Sequence, residues 1–344
     1  MLSKRKLFLK MIQSKYLRIL RMQEMGGVKL DYEFTRLIKG LACLMIALHH
    51  YAQFVISEGI SSNIIYWLFS TQGGDAGVAI FFFLSGYGLM ESESKRHLNL
   101  FQFLVKRFWK IYKGVLIINF LTLGSIICWK YFQSGVWEPF KLDLLFSIAH
   151  LDFVLWFVKV LFSCYLAFTL CSQIRNEKIR NIAFVIGQLL IISYWLITGQ
   201  SINHIVSIPF FAVGLYVSLY KQRTSKVIRS AWMWLALAAI SVLAVYISYK
   251  THDAVYVHNV FDILLIACLL WLVSVFDITL KFKSFLGYIS FPIYLVHRKI
   301  IMLSAGLGHL APVVLYIALT IYLAWLLQKT IEIKIFKNGT INRT

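Results

Sequence analysis

Long unbroken apolar runs constrain this chain more than any other feature. Ten follow one another, at about 37–56, 74–91, 111–130, 152–172, 181–198, 202–220, 231–249, 256–276, 284–303 and 309–329. Each is close to the ~20 residues that carry a helix across the hydrocarbon of a bilayer. In lipid the backbone must satisfy its own hydrogen bonds, so only helices or closed barrels span. Barrel strands alternate polar and apolar residues over ~10 positions, and these runs do not. The expectation is an all-α integral membrane protein with about ten transmembrane helices. Of the 344 residues, 59% are apolar and 15% charged, against about 25% charged in soluble domains. That balance excludes a soluble globular, disordered or fibrous chain.

The formal net charge is +20, which by sign alone would suit nucleic acid. Its placement argues for membrane topology instead. With the N-terminus in the cytoplasm, 29 of the 35 Lys and Arg residues fall on the inner side, five on the outer side, and Lys159 within a span. The asymmetry holds at every successive loop, as the positive-inside rule requires, and puts both termini in the cytoplasm. No nucleic-acid partner is expected. Residues 1–35 have no hydrophobic run with a small-residue cleavage site, so they are not a signal peptide. They fit a basic amphipathic segment on an anionic leaflet, or a disordered basic tail. Residues 36–330 form the ten-helix membrane domain, and 331–344 a short cytoplasmic tail. Cys43, Cys128, Cys164, Cys171 and Cys268 lie in or beside apolar runs at spacings that match no metal motif. They read as small core residues, and no metal is expected.

Polar groups within spans are costly, so each is a functional candidate. The first span, KGLACLMIALHHYAQF, places Lys39 at its inner mouth and His50 eleven residues later. On a helix that is about 16 Å of rise and close to three turns, so both lie on one face. Lys39 could hold an anionic donor and His50 could handle a proton. His49 points about 100° away. Structural hydrogen bonding by either histidine is an equal alternative. The second span, GGDAGVAIFFFLSGYGLME, offers the hydroxyls of Ser85 and Tyr87 among small residues. Its glycines would equally serve a tightly packed helix pair. Lys106, Arg107, Lys110 and Lys113 form a basic cluster in the following inner loop, where phosphate binding and the positive-inside rule both place such residues. Lys159 and Asp262 lie within spans and could pair. His150, Asp152, Trp156, Gln200, Asn203, His204 and His258 gather near outer ends, where they could contact a sugar. For Trp156 the aromatic belt is the ordinary explanation. The ninth span, LGYISFPIYLVHRKI, carries His297, catalytic or structural, with Tyr288 and Tyr294.

These pieces, in this order, resemble acyltransferase family 3, polytopic membrane enzymes that acylate cell-surface carbohydrates. The resemblance covers about residues 31–329. KGLACLMIALHHY resembles the family's RG-apolar-H helix, GVAIFFFLSGY its second-helix signature, and VKRFWKIYK its R-x-x-R-I-x-P segment. LWFVKVLFSCYLAF is similar to its LWF helix, and ISFPIYLVH to its S-Y-x-x-Y-L-x-H ending. Departures are Lys39 and Lys110 in place of Arg, Lys113 in place of Pro, and the extra His49. The resemblance implies transfer of an acyl group, most often acetyl, from cytoplasmic acyl-CoA to a hydroxyl of a surface polysaccharide or its lipid-linked precursor. No metal takes part. The bacterial cytoplasmic membrane is the expected location, and oligomeric state is open. His50 stands at the family's catalytic histidine, with His49 and His297 as further catalytic candidates. Lys39, Arg107 and Lys110 would hold the nucleotide phosphates, with Ser85 and Tyr87 orienting the donor. Trp156, Lys159, Asp152 and His150 are candidates for contact with the acceptor. Direct transfer and an acyl-histidine intermediate are both open. So are two rival functions: a glycan or lipid transporter, and a non-catalytic subunit of a polysaccharide-synthesis complex.

Overall fold

A computed structural model describes residues 27–95, 100–135, 154–199, 205–251, 255–276, 278–306 and 312–332. Among them the regular structure is helical and contains no strand, which establishes the all-α class. Helix α1 spans Tyr32–Ser57. It starts where Asp31 caps it, accepting from the N–H groups of Glu33 and Phe34 at 3.1 Å each, two donors that a helix start leaves without partners. Just beyond its far end Gly59 sits at φ +66°, a conformation that glycine adopts without steric cost. The chain returns through α2 (Ile64–Leu68) and a π-helical turn (Phe69–Gly73) into α3 (Gly74–Lys95).

Next come α4 (Leu100–Ser134), α5 (Val154–Ser172), α6 (Glu177–Ile197) and α7 (Pro209–Leu219). They are followed by α8 (Lys221–Ile228), α9 (Ala231–Thr251) and α10 (Val255–Phe276). The last are α11 (Phe285–Tyr288), α12 (Ser290–Gly306) and α13 (Val313–Glu332). Each of the ten apolar runs contains a helix. Seven helices among the described residues are long and apolar enough to cross a membrane.

Three departures from the sequence reading have local causes. Among the described residues of the run at 202–220 the long helix is α7, which begins at Pro209. Proline lacks an N–H and its ring clashes with the carbonyl four residues back, so it opens helices and does not continue them. The run at 284–303 divides at Ile289 into α11 and α12. Pro292 has no N–H to give the Tyr288 carbonyl, so the ladder breaks there. The basic stretch after the second span, expected as a loop, is largely helical: α3 continues to Lys95 and α4 begins at Leu100.

Helix α3 is the hub, packed against α1, α7 and α10, while α12 lies between α1 and α13. Lipid tails are as apolar as leucine, so helices in a bilayer associate through close packing at small residues. A Cβ on Gly86 would stand 2.1 Å from the Phe211 carbonyl oxygen, and one on Gly214 would stand 2.0 Å from that of Phe83. Helices α3 and α7 therefore cross backbone to backbone. Helices α6 and α9 are peripheral, with apolar side chains such as Trp232 (80% exposed) turned outward, as a lipid-facing surface requires. At the Lys39 end, residues 27–31 run beneath the bundle. The Val28 N–H donates to the Lys221 carbonyl and the Leu30 N–H to the Tyr87 hydroxyl, both at 3.1 Å.

Candidate active site

Three imidazoles meet in the middle of this bundle. His50 and His49 are neighbours on α1, with ring centres 4.9 Å apart at 65°. His297 of α12 stacks on His50 with ring centres 5.2 Å apart and 18° between planes. His297 is fully buried. Each ring is held by the same nitrogen. His297 Nδ1 is 2.7 Å from the Tyr294 carbonyl oxygen, and His49 Nδ1 is 3.0 Å from that of Phe69. His50 Nδ1 is 3.1 Å from Oε1 of Gln53, one turn along α1. A backbone carbonyl oxygen only accepts, so in neutral His297 and His49 Nδ1 carries the proton and Nε2 the lone pair. His297 Nε2 is buried and has no hydrogen-bond partner among the described residues.

The glycines of α3 and its approach make room for this cluster. A Cβ on Gly74 would lie 2.6 Å from the His49 ring, and one on Gly77 would lie 2.6 Å from Ile46 and 2.7 Å from the Ala42 carbonyl oxygen. The π-helical turn just before α3 presents the Phe69 carbonyl to His49. Tyr316 of α13 locks the other side. Its buried hydroxyl lies 3.0 Å from the Ala47 carbonyl and 3.4 Å from that of His297, and its ring stacks on Tyr51 at 4.7 Å. One side chain thus ties α1, α12 and α13 together beside the histidines.

Lys39 lies on α1 with its ammonium 5.5 Å from the centre of the Phe81 ring, a cation–π contact. From Phe81 a wall of rings leads to the imidazoles. Phe157 is 5.2 Å from Phe81 and 5.1 Å from Tyr294, and Tyr294 is 5.7 Å from His297. The Lys39 end and the histidines are therefore joined along one aromatic face.

Other expected residues sit elsewhere. Ser85 is buried, its hydroxyl without a partner among the described residues. The Tyr87 hydroxyl takes the Leu30 N–H, and its ring lies under the Lys221 ammonium, 6.0 Å away. Lys221 also pairs with Glu91. Tyr87 thus holds residues 27–31 to α3. Arg107 and Lys110 belong to α4 and their side chains lie outside the described set. Lys113, also on α4, donates to the Ile331 carbonyl at 2.5 Å, satisfying a carbonyl that the end of α13 leaves open. His150 and Asp152 lie outside the described residues. Trp156 is partly buried beside Phe157. Lys159 is on the exposed face of α5. Among the described residues both buried carboxyl oxygens of Asp262 lack a hydrogen-bond partner, and the expected Lys159–Asp262 pair does not form.

One pair was not singled out from sequence. Asp75, in the first turn of α3, accepts from or pairs with His258 Nδ1 of α10 at 3.1 Å. Its signal was present: Asp75 is the acid within GGDAG, and His258 and Asp262 stand four apart on one helix face.

A multi-pass membrane protein with imidazoles clustered between its helices defines the class. Within it, the chain matches the family model described as the acyltransferase domain, Acyl_transf_3, over residues 32–329. It belongs to that family, and the matched region runs from the first residue of α1 into the last turn of α13. Neither the curated proteins nor the solved structures contain a match to it.

Proposed function

We propose that this membrane acyltransferase moves an acyl group, acetyl in the first instance, from cytoplasmic acyl-CoA to a hydroxyl of a surface polysaccharide or its lipid-linked precursor. His50 is the general base. The observation that supports this most is the ring's setting: Gln53 engages Nδ1 and His297 stacks on its face. A neutral imidazole presenting Nε2 takes the proton of the acceptor hydroxyl as its oxygen attacks the thioester carbonyl. The C–S bond then breaks, and the imidazolium returns that proton to the departing thiolate. General-base assistance of this kind is worth about 10²–10⁴-fold. His297 keeps the His50 ring in register. Lys39, Arg107 and Lys110 hold the phosphates of the donor, whose slender arm follows the aromatic face from Lys39 inward. Both chain ends lie in the cytoplasm, and the membrane is the bacterial cytoplasmic one. The test is mass spectrometry of surface glycans from a strain lacking the protein against its parent. The expected result is loss of one ester-linked acyl group per repeat; unchanged glycans would contradict the reading.

A further inference from the structure

The histidine cluster continues into a second set of polar groups towards the end of the bundle opposite Lys39. Helix α1 carries Lys39 near its start and His49 and His50 further along, and α3 returns antiparallel from Gly74. Asp75 lies in the first turn of α3 and His258 in the first turn of α10. Their side chains are 22% and 17% exposed, so the pair is reachable from that end. The His49 ring packs on Gly74, the residue before Asp75, where a Cβ would stand 2.6 Å from it. Behind them, one turn further into α10, Asp262 is 1% exposed, with both carboxyl oxygens unpartnered among the described residues. It follows His258 by four residues on one face of α10, the helix that packs on α3. Unsatisfied buried oxygens are expensive and rare, so each calls for a partner.

The chemistry of this set is specific. Nδ1 of His258 faces Oδ2 of Asp75, which leaves Oδ1 of Asp75 to accept and Nε2 of His258 to accept or donate. The Asp262 carboxyl adds two more oxygens that take part in hydrogen bonds, as acceptors or, protonated, with one O–H donor. Several acceptors at different depths, with one convertible imidazole, suit a ligand that brings adjacent O–H donors. We propose that Asp75, His258 and Asp262 form the acceptor subsite, a clamp for neighbouring hydroxyls of a carbohydrate that enters opposite the Lys39 end. The clamp rests on the reading of acyl transfer at His50. It explains how donor and acceptor reach one imidazole without crossing: the thioester comes along the aromatic face, the sugar past Asp75 and His258.

The test uses the full-length protein in lipid nanodiscs with labelled acetyl-CoA. The acceptor probe is surface polysaccharide extracted from a strain deleted for this protein. Asp75→Asn keeps an oxygen for His258 and removes the charge; His258→Gln keeps a polar side chain and removes the ring. Both variants are expected to raise the acceptor KM at least tenfold. The donor KM should stay within twofold of wild type. Asp75→Glu should recover part of the loss, which a merely structural role would not give. An unchanged acceptor KM, or a donor KM that shifts equally, overturns the clamp while leaving His50 in place. Thermal melting of each variant guards against misfolding, and a variant that melts as wild type with wild-type acceptor KM also overturns it. Absence of any transfer by wild type would instead refute the underlying reading, and the clamp with it.

Discussion

His297 and His50 stack face to face, 5.2 Å between ring centres, although α12 and α1 lie at opposite ends of the chain. His297 is pinned by the Tyr294 carbonyl and cannot turn without losing that bond. Replacing it with alanine removes one wall of the His50 position. The expected result is a fall in kcat of at least tenfold, with the KM for acetyl-CoA within twofold. His297→Phe keeps a ring to stack and should retain more activity than His297→Ala. Steady-state kinetics on the purified variants check both, and equal loss in the two would remove the positioning role.

The glycines of α3 should divide sharply. A methyl on Gly86 would press into the Phe211 carbonyl at 2.1 Å, whereas a Cβ on Gly88 meets nothing within 4 Å. Gly86→Ala must separate α3 from α7, at a cost of about 1–3 kcal/mol or more for overpacking. Gly88→Ala should be neutral or slightly stabilising, since alanine favours the helix by about 1 kcal/mol. Thermal unfolding in detergent distinguishes them. Similar melting temperatures would contradict the close crossing.

Tyr316→Phe removes only a hydroxyl, yet that hydroxyl engages carbonyls on both histidine-bearing helices. The stability loss should be about 0.5–1.5 kcal/mol, the net worth of a typical hydrogen bond. Activity should fall with it, because α1 and α12 lose the tie nearest the His50–His297 stack. Full activity in Tyr316→Phe would show that the aromatic stacking alone holds the register.

Asp31, at the mouth of α1, links stability to pH. Burial pushes its carboxyl up, but the N–H groups of Phe34, Leu280, Glu33 and Tyr32 outweigh this and hold it below 3.8. A carboxylate with a depressed folded-state pKa stabilises above its unfolded value, and the contribution is lost as pH falls through the folded one. Asp31→Ala should therefore melt lower than wild type at pH 7, by an amount set by about 0.5–2 kcal/mol for a lost cap. The gap should close below pH 3.8, as wild type loses the same charge. Asp31→Asn, still able to cap, should melt close to wild type at pH 7. A gap that stays constant with pH would contradict the assignment.

Most of the fold was legible because the bilayer allows so few solutions. Apolar runs of span length fixed the class, and the spacing from Lys39 to His50 placed both on one face of α1. The sequence also marked the breaks at Pro209 and Pro292, but proline is tolerated in membrane helices often enough that its presence alone does not place a break. The pairing of histidines was not legible. Nothing along α1 or α12 announces that His50 and His297 stack, since that depends on how α1, α12 and α13 pack around Tyr316. Asp75 escaped notice for a related reason: it stands among three glycines at the start of the second span, and only the approach of α10 gives it His258. Lys159 drew attention as a charge in an apolar run, yet it lies on the outer face of α5, where a long side chain can reach along the surface.

The most direct measurement is transfer of labelled acetyl from acetyl-CoA to extracted polysaccharide by His50→Ala and His49→Ala in nanodiscs. The His49 ring sits in the notch left by Gly74, with Nδ1 held by Phe69, so its loss should reduce transfer only several-fold. Loss of His50 should reduce it by about 10²–10⁴-fold while the protein still accumulates and melts as wild type. Transfer by His50→Ala at a rate near wild type would contradict the account at its centre.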